Sequence, residues 1–256
     1  MMIMEKSTSS DQHNKEIHEN QQAWKMKPLL ADIYDGFYSL IRDRLAPQVS
    51  GLIVELGSGM GNIKRAIPEC ITTDLFPNPW LDRQENAYRL SFANASVSNL
   101  ILFDVWHHLE HPATALLEFA RVLKPGGRLI LFEPGMGYLG RFIYRMFHHE
   151  PLGWKHQFQW HAGKDFNLEC APYFAAQASA DRAFCRKELK GLEFDWETVE
   201  VSKISSLAYV ASGGFSGRQL YPRAFLPLMR LIDRGLGYMP GLFATRMLVV
   251  LERKKD

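Results

Sequence analysis

The sequence predicts an α/β protein with a mostly parallel sheet covered by helices on both faces. Three observations carry this. Short apolar runs recur along the first half of the chain, LIVEL at 52–56, ITTDLF at 71–76, NLILF at 99–103 and RLILF at 128–132. Strands buried on both faces read as continuous runs rather than as alternating ones. Segments of helical periodicity flank these runs, as β-α-β units require. Finally, the first run leads directly into Gly57, Gly59 and Gly61. Glycine loses more freedom on folding than any other residue, so three in one turn need a reason.

The elements follow in order. Residues 1–22 are polar and predict a flexible arm, and 23–256 predict a single domain. From Leu30 to Leu45 the apolar residues Leu30, Ile33, Tyr34, Phe37, Ile41 and Leu45 recur at helical spacing, with Asp32, Asp35, Arg42 and Asp43 opposite. PATALLEFARVLKPGG predicts a second helix: Pro112 suits its first turn, and Pro125-Gly126-Gly127 stops it. After Glu133 the rhythm changes. Residues 134–170 are rich in aromatics and His and hold no strand candidate. AQASADRAFCRKELKG (176–191) predicts a helix ended by Gly191, LEFDWETVEV (192–201) alternates as a strand, and RMLVVLERK (246–254) predicts the last strand. Insertions at about 135–190 and 203–241 are too long for plain connections, which predicts a functional helical and aromatic lid.

Composition narrows the function. Hydrophobic residues make up 46% and charged ones 23% of the 256, which is ordinary for a globular chain. A net charge of +2, without a Lys/Arg block, disfavours a nucleic-acid partner. Cys70, Cys170 and Cys185 are odd in number and lack a C-x-x-C pattern, which fits a reducing compartment. The polar N-terminus has no signal-peptide core, and no apolar run approaches the roughly 20 residues that span a bilayer. The expected location is cytoplasmic.

The glycine turn has the pattern E-x-G-x-G-x-G from Glu55 to Gly61, with Asn62 where a dinucleotide fingerprint wants its third glycine. A strand-to-helix turn without Cβ atoms lets main-chain amides approach a polar ligand. Asp74 lies 17 residues past Gly57, at the end of the second apolar run. An ionised acid there can accept both hydroxyls of a ribose. Leu75 and Phe76 follow and are placed to cover an adenine face.

The ordered set of LIVELGSGMG, Asp74, Asn86-Ala87, LFDVWHHLEH and ARVLKPGGRLILFEP resembles the class I S-adenosylmethionine-dependent methyltransferases. The likeness is to their small-molecule branch, with a type 11-like methyltransferase domain. It runs from about Ile53 to Glu133, roughly a third of the chain, and ARVLKPGGRLILFEP is its most specific piece. Asn86 stands where the family has Asp, and Ser91 where it has Pro. The resemblance implies a Rossmann-like seven-stranded sheet, S-adenosylmethionine as cofactor and a cofactor-binding half at about 46–134. It implies that Gly57, Ser58, Gly59 and Gly61 bend the backbone around the methionine part. Glu55 then orients the cofactor's amino group, Asp74 binds ribose, and Leu75, Asn86 and Ala87 meet the adenine. Phe103 and Asp104 face the methionine ammonium.

Methyl transfer from a sulfonium releases a neutral leaving group, so most of the acceleration can come from alignment. A hydroxyl or ammonium acceptor also gains from a general base. The candidates are His107 and then His108, where the fourth strand opens; packing at the strand end is the competing role. His107 and His111 are four apart, a zinc-like spacing, but Pro112 places them before the helix and no acid or thiol accompanies them. No metal is expected.

No Asn/Asp-Pro-Pro-aromatic motif and no nucleophilic Cys of the kind cytosine C5 chemistry uses stand directly after the fourth strand, which leaves a small-molecule, glycan or lipid-linked acceptor and O- or N-methylation. In PRAFLPLMRLIDRGLGYM, Phe225, Leu228, Met229, Ile232 and Leu236 gather on one side of a helical wheel, and Arg223, Arg230 and Arg234 on the other. From Gly217 to Asp256 eight Arg/Lys stand against three Asp/Glu. Two readings stay open for 222–239: a core-facing stripe, or peripheral contact with an anionic membrane. Trp24, Tyr34 and Tyr38 either cover the acceptor or anchor the leading helix. The competing functions are an NAD(P)-dependent oxidoreductase, disfavoured by Asn62 and RVLKPGG, and a non-catalytic cofactor-binding relative.

Overall fold

A computed structural model describes residues 10–148, 150–167, 174–191 and 195–255. Its centre is a seven-stranded sheet in the order β3-β2-β1-β4-β5-β7-β6. The strands are β1 (Leu52–Leu56), β2 (Ile71–Asp74), β3 (Arg83–Gln84), β4 (Val97–Phe103), β5 (Leu123–Pro134), β6 (Trp196–Ser205) and β7 (Ala244–Arg253). Pairings from β3 through β5 are parallel, whereas β7 runs antiparallel to both β5 and β6. The register sets Glu55 beside Thr72 and Phe103 beside Phe132, so the strand ends that carry the predicted site lie at one edge.

Every second residue of a strand points to the same face, and here both faces are buried. Leu100, Leu102, Leu129, Leu131, Val249 and Leu251 join one core with Leu116 and Phe119 of α3 (Pro112–Val122). Ile101, Ile130, Phe132, Leu248 and Val250 join the other with Ile33, Phe37 and Ile41 of α2 (Pro28–Arg42). That is why the strands read as continuous apolar runs. Pro28 opens α2, where its missing N–H costs nothing. The polar side of α2 carries Asp35, bidentate to Arg65 at 2.8 Å, and Asp32, paired with Arg223.

Three expectations are corrected. The stretch read as a polar arm becomes helix α1 (Ser10–Met26) from Ser10 onward; residues 1–9 lie outside the described ones. Ile17 is buried, and Trp24 packs on Tyr34 and Phe215, so tertiary contacts hold a helix with little apolar surface. The helix expected over 176–191 shrinks to a short turn of π-helix at Asp181–Cys185. Its first residues instead pair with another loop: Gln177 donates to the Pro151 carbonyl and Ala178 to that of Leu152. After the glycine turn comes only a 3-10 turn, Asn62–Arg65, not an α-helix. Residues 192–194 and Cys170, part of the expected strand and thiol set, lie outside the described residues.

The insertions add α4 (Tyr138–Phe147), α5 (Leu207–Ser212), α6 (Leu226–Leu236) and α7 (Pro240–Phe243). No helix among the described residues is long and apolar enough to cross a membrane.

Candidate active site

The glycine turn and Asp74 form one unit. Asp74 Oδ2 accepts from the Gly59 amide at 3.1 Å, and Oδ1 from the Leu75 amide at 2.7 Å. Ser58 ties the turn to both strands: its amide donates to the Thr73 carbonyl, its hydroxyl to the Glu55 carbonyl, and it accepts from the Thr73 amide. Gly57, Gly59 and Gly61 all have positive φ, which L residues adopt only with strain. Their surroundings differ. A Cβ on Gly57 would fall 2.4 Å from Val105 Cγ2, whereas one on Gly59 would meet nothing within 4 Å. Gly57 is therefore a packing glycine, and Gly59 faces open space.

Glu55 lies beneath this turn, buried, with Oε2 unpartnered. Burial, aided by the charge of Asp74, raises its carboxyl to about 7. A buried carboxyl oxygen without a hydrogen-bond partner is the feature that a cationic ligand would satisfy. The open face at Gly59, the orphaned Glu55 oxygen and the pre-aligned Asp74 carboxylate fit the methionine ammonium and ribose of S-adenosylmethionine. Asn86 stands two residues beyond Gln84, the strand partner of Asp74. Asn86 Oδ1 already accepts from the Tyr88 amide at 2.9 Å.

Phe103 stacks on Tyr34 at 5.4 Å, with Phe37, Tyr38 and Phe132 around it, so Tyr34 and Tyr38 anchor α2 on the end of β4. Asp104 has φ +56 and is held bidentately by Arg246 at 2.6 and 2.7 Å. Arg246 is buried among the rings of Phe37, Phe103, Phe132 and Tyr209. Sequence reasoning missed it, although one Arg inside the apolar strand TRMLVVL was the available signal.

His107 and His108 follow in a 3-10 turn, Trp106–His108. His107 Nδ1 lies 2.6 Å from Glu133 Oε2, while Glu133 Oε1 accepts from the amides of Val105 and Trp106. Burial disfavours charge on the His107 ring, but Glu133, with Glu150 behind it, outweighs that and raises it to about 10. A doubly protonated ring cannot take a proton, so His107 in this state is not primed as a base. Burial and the neighbouring His107 charge lower His108 to about 4. Both Nε2 atoms face Glu150, at 3.6 and 3.8 Å. Glu133 and Glu150 went unread in the sequence, and Glu150 lies too far along the chain for any spacing rule. His111 is separate: its Nδ1 meets the Gln159 carbonyl and its ring the edge of Phe166.

Residues 54–131 match the family of the methyltransferase domain. Three solved structures share the fold across most of the chain. A chain of the complex between the Haloferax volcanii Trm112 methyltransferase activator and a putative methyltransferase is 15% identical, with 96% of this chain and 97% of that one covered, at a TM-score of 0.53. An S-adenosylmethionine-dependent methyltransferase from Thermotoga maritima is 13% identical over 94% of this chain and 98% of that one, at 0.50. The geranyl diphosphate C-methyltransferase of Streptomyces coelicolor, solved with S-adenosyl-L-homocysteine, is 14% identical over 85% and 75%, also at 0.50. No curated protein sequence matches. The fold and the glycine-turn site thus define a Rossmann-like transferase. Residues 54–131 are a methyltransferase domain, and the proteins this chain is similar to in sequence and fold are S-adenosylmethionine-dependent methyltransferases.

Proposed function

We propose that this enzyme methylates an oxygen or nitrogen of an amphiphilic, lipid-linked acceptor at an anionic membrane surface. The observation that carries this is the orientation of α6. It is held to the body by Leu226 and Met229, packed on the core, and by a set of polar contacts. Asp233 accepts from the Ser205 hydroxyl and the Leu207 and Ala208 amides, and Arg223 and Arg230 reach Asp32. Only Leu226 of this helix is buried. Leu228, Leu231 and Ile232 face outward, Leu231 being 62% exposed. A core-facing stripe would be the reverse.

A second helix repeats the pattern. In α4, Gly140 and Tyr144 face the protein, while Phe142 and Phe147 are 55% and 75% exposed. Its start adjoins α7, where the Gly137 amide donates to the Ala244 carbonyl. Tyr238, 89% exposed, and Leu242 extend the apolar surface there. Arg141 and Arg145 on α4 and Arg230 and Arg234 on α6 border these residues. Apolar groups edged by arginines suit the boundary of an anionic bilayer. Helix α4 also starts four residues beyond the end of β5, at the same sheet edge as His107 and Glu133.

Co-sedimentation with phosphatidylglycerol vesicles tests the surface. Binding is expected at low salt, weaker at 0.5 M salt, and lost in Phe142→Asp/Leu231→Asp, whose side chains are exposed and leave folding intact. Methyl label from S-adenosylmethionine should then enter the lipid extract of a cell lysate. No vesicle binding at low salt, or label confined to the aqueous fraction, refutes the reading.

A further inference from the structure

We propose that His107, His108 and Glu150 form a binding site for a divalent first-row transition-metal ion at the carboxyl end of β4. The three come from segments 42 residues apart, yet one donor atom from each lies within 4.8 Å of the others. Glu150 Oε2 is 3.6 Å from His107 Nε2, and Oε1 is 3.8 Å from His108 Nε2. Those separations are long for hydrogen bonds. They suit donors that share an ion, because metal–ligand bonds of about 2.0–2.2 Å in a tetrahedron place neighbouring donors roughly 3.4 Å apart.

The opposite edge of each ring supports the assignment. His107 Nδ1 is held by the Glu133 carboxylate at 2.6 Å, and His108 Nδ1 by the Phe174 carbonyl at 2.9 Å. Metal-bound imidazoles engage their second nitrogen in this way, which fixes the ring; the ion would displace the proton that His107 Nε2 otherwise carries toward Glu150. Glu133 cannot swing away, since its other oxygen holds two backbone amides. Gln177 Nε2 donates to Glu150 Oε2 and steadies the third ligand. His148 Nδ1 lies 3.7 Å from the same oxygen, close enough to join as a fourth.

A neighbouring trio, Asp104, His107 and Glu133, also lies within 4.8 Å. It is already spent: the His107–Glu133 hydrogen bond closes its centre, and Arg246 takes both oxygens of Asp104. Two imidazoles and one carboxylate favour zinc, manganese, iron, cobalt or nickel over calcium and magnesium, which prefer oxygen. Three protein ligands leave a position for water or an acceptor group. Val105, two residues before His107, packs on Gly57, so the ion would border the cofactor turn. The metal site does not depend on which acceptor is used.

The test uses the full chain without a histidine tag, stripped with chelator and titrated calorimetrically with Zn²⁺ and Mn²⁺. One ion per chain is expected for Zn²⁺, with a dissociation constant in the micromolar range or below. Glu150→Gln and His108→Ala should each weaken it by at least about tenfold, and Glu133→Gln by about 10–100-fold through the His107 ring. A parallel titration with S-adenosylhomocysteine reports folding and the cofactor site in every variant. A chain that binds S-adenosylhomocysteine but takes up neither metal stoichiometrically overturns the proposal. Metal uptake unchanged in both Glu150→Gln and His108→Ala overturns it too.

Discussion

The two halves of the active site touch at Gly57 and Val105 but are built in opposite ways. The cofactor turn is local: Glu55, Ser58, Gly59, Thr73 and Asp74 all lie between residues 55 and 74 and are tied to one another by hydrogen bonds. The end of β4 is assembled from far apart. Asp104 is held by Arg246, 142 residues away, and His107 by Glu133 and Glu150. Backbone shape dominates the first half, and buried charge the second. Substitutions should therefore fail differently in the two.

The largest effect is expected at the charged end. Asp104→Ala strands Arg246 among aromatic rings, and an uncompensated buried charge costs about 3–5 kcal/mol. Urea denaturation checks this, and Asp104→Ala/Arg246→Met should recover much of the loss by removing the charge. A single variant as stable as wild type would erase the contrast between the halves. Gly57→Ala comes next. Its Cβ would meet Val105 at 2.4 Å in a left-handed backbone, which should cost roughly 2–4 kcal/mol through strain and overpacking.

Gly59→Ala sharpens the comparison. It adds no clash, so only the φ penalty of about 1–2 kcal/mol applies to stability, yet its methyl group enters the open space. S-adenosylhomocysteine affinity should fall more than tenfold; wild-type affinity in calorimetry would show that this space is not the cofactor's.

A pH slope completes the comparison. Folded Glu55, raised to about 7 from 4.5, keeps a proton that the unfolded chain has released. Stability of the ligand-free chain therefore falls as pH rises through that window, by at most about 1.4 kcal/mol per pH unit. Glu55→Gln should flatten the slope between pH 5 and 7. An unchanged slope in that variant would assign it to another group.

How much of this was legible followed from the same division. The runs at 52–56 and 99–103 end on the residues where β1 and β4 end, because strands covered on both faces have little choice but apolar side chains. The glycine turn and Asp74 were legible because a backbone-shaped site needs particular residues at short spacing. The helix expected over 176–191 failed because those amides found partners on 151 and 152. Helix α1 was missed because its few contacts, such as Trp24 on Phe215, are long-range. The stripe on 222–239 was seen, but a helical wheel cannot say which side faces the protein.

By itself the sequence determined the sheet, the cofactor turn and the methyltransferase class, since burial periodicity and glycine conformations are properties of neighbouring residues. Only the tertiary structure decided that Glu150 meets His107 and His108, that Arg246 neutralises Asp104, and that Leu226 of α6 is buried while Leu228 and Leu231 are exposed. Those depend on side chains distant in sequence meeting at one strand edge, and periodicity carries no information about such encounters.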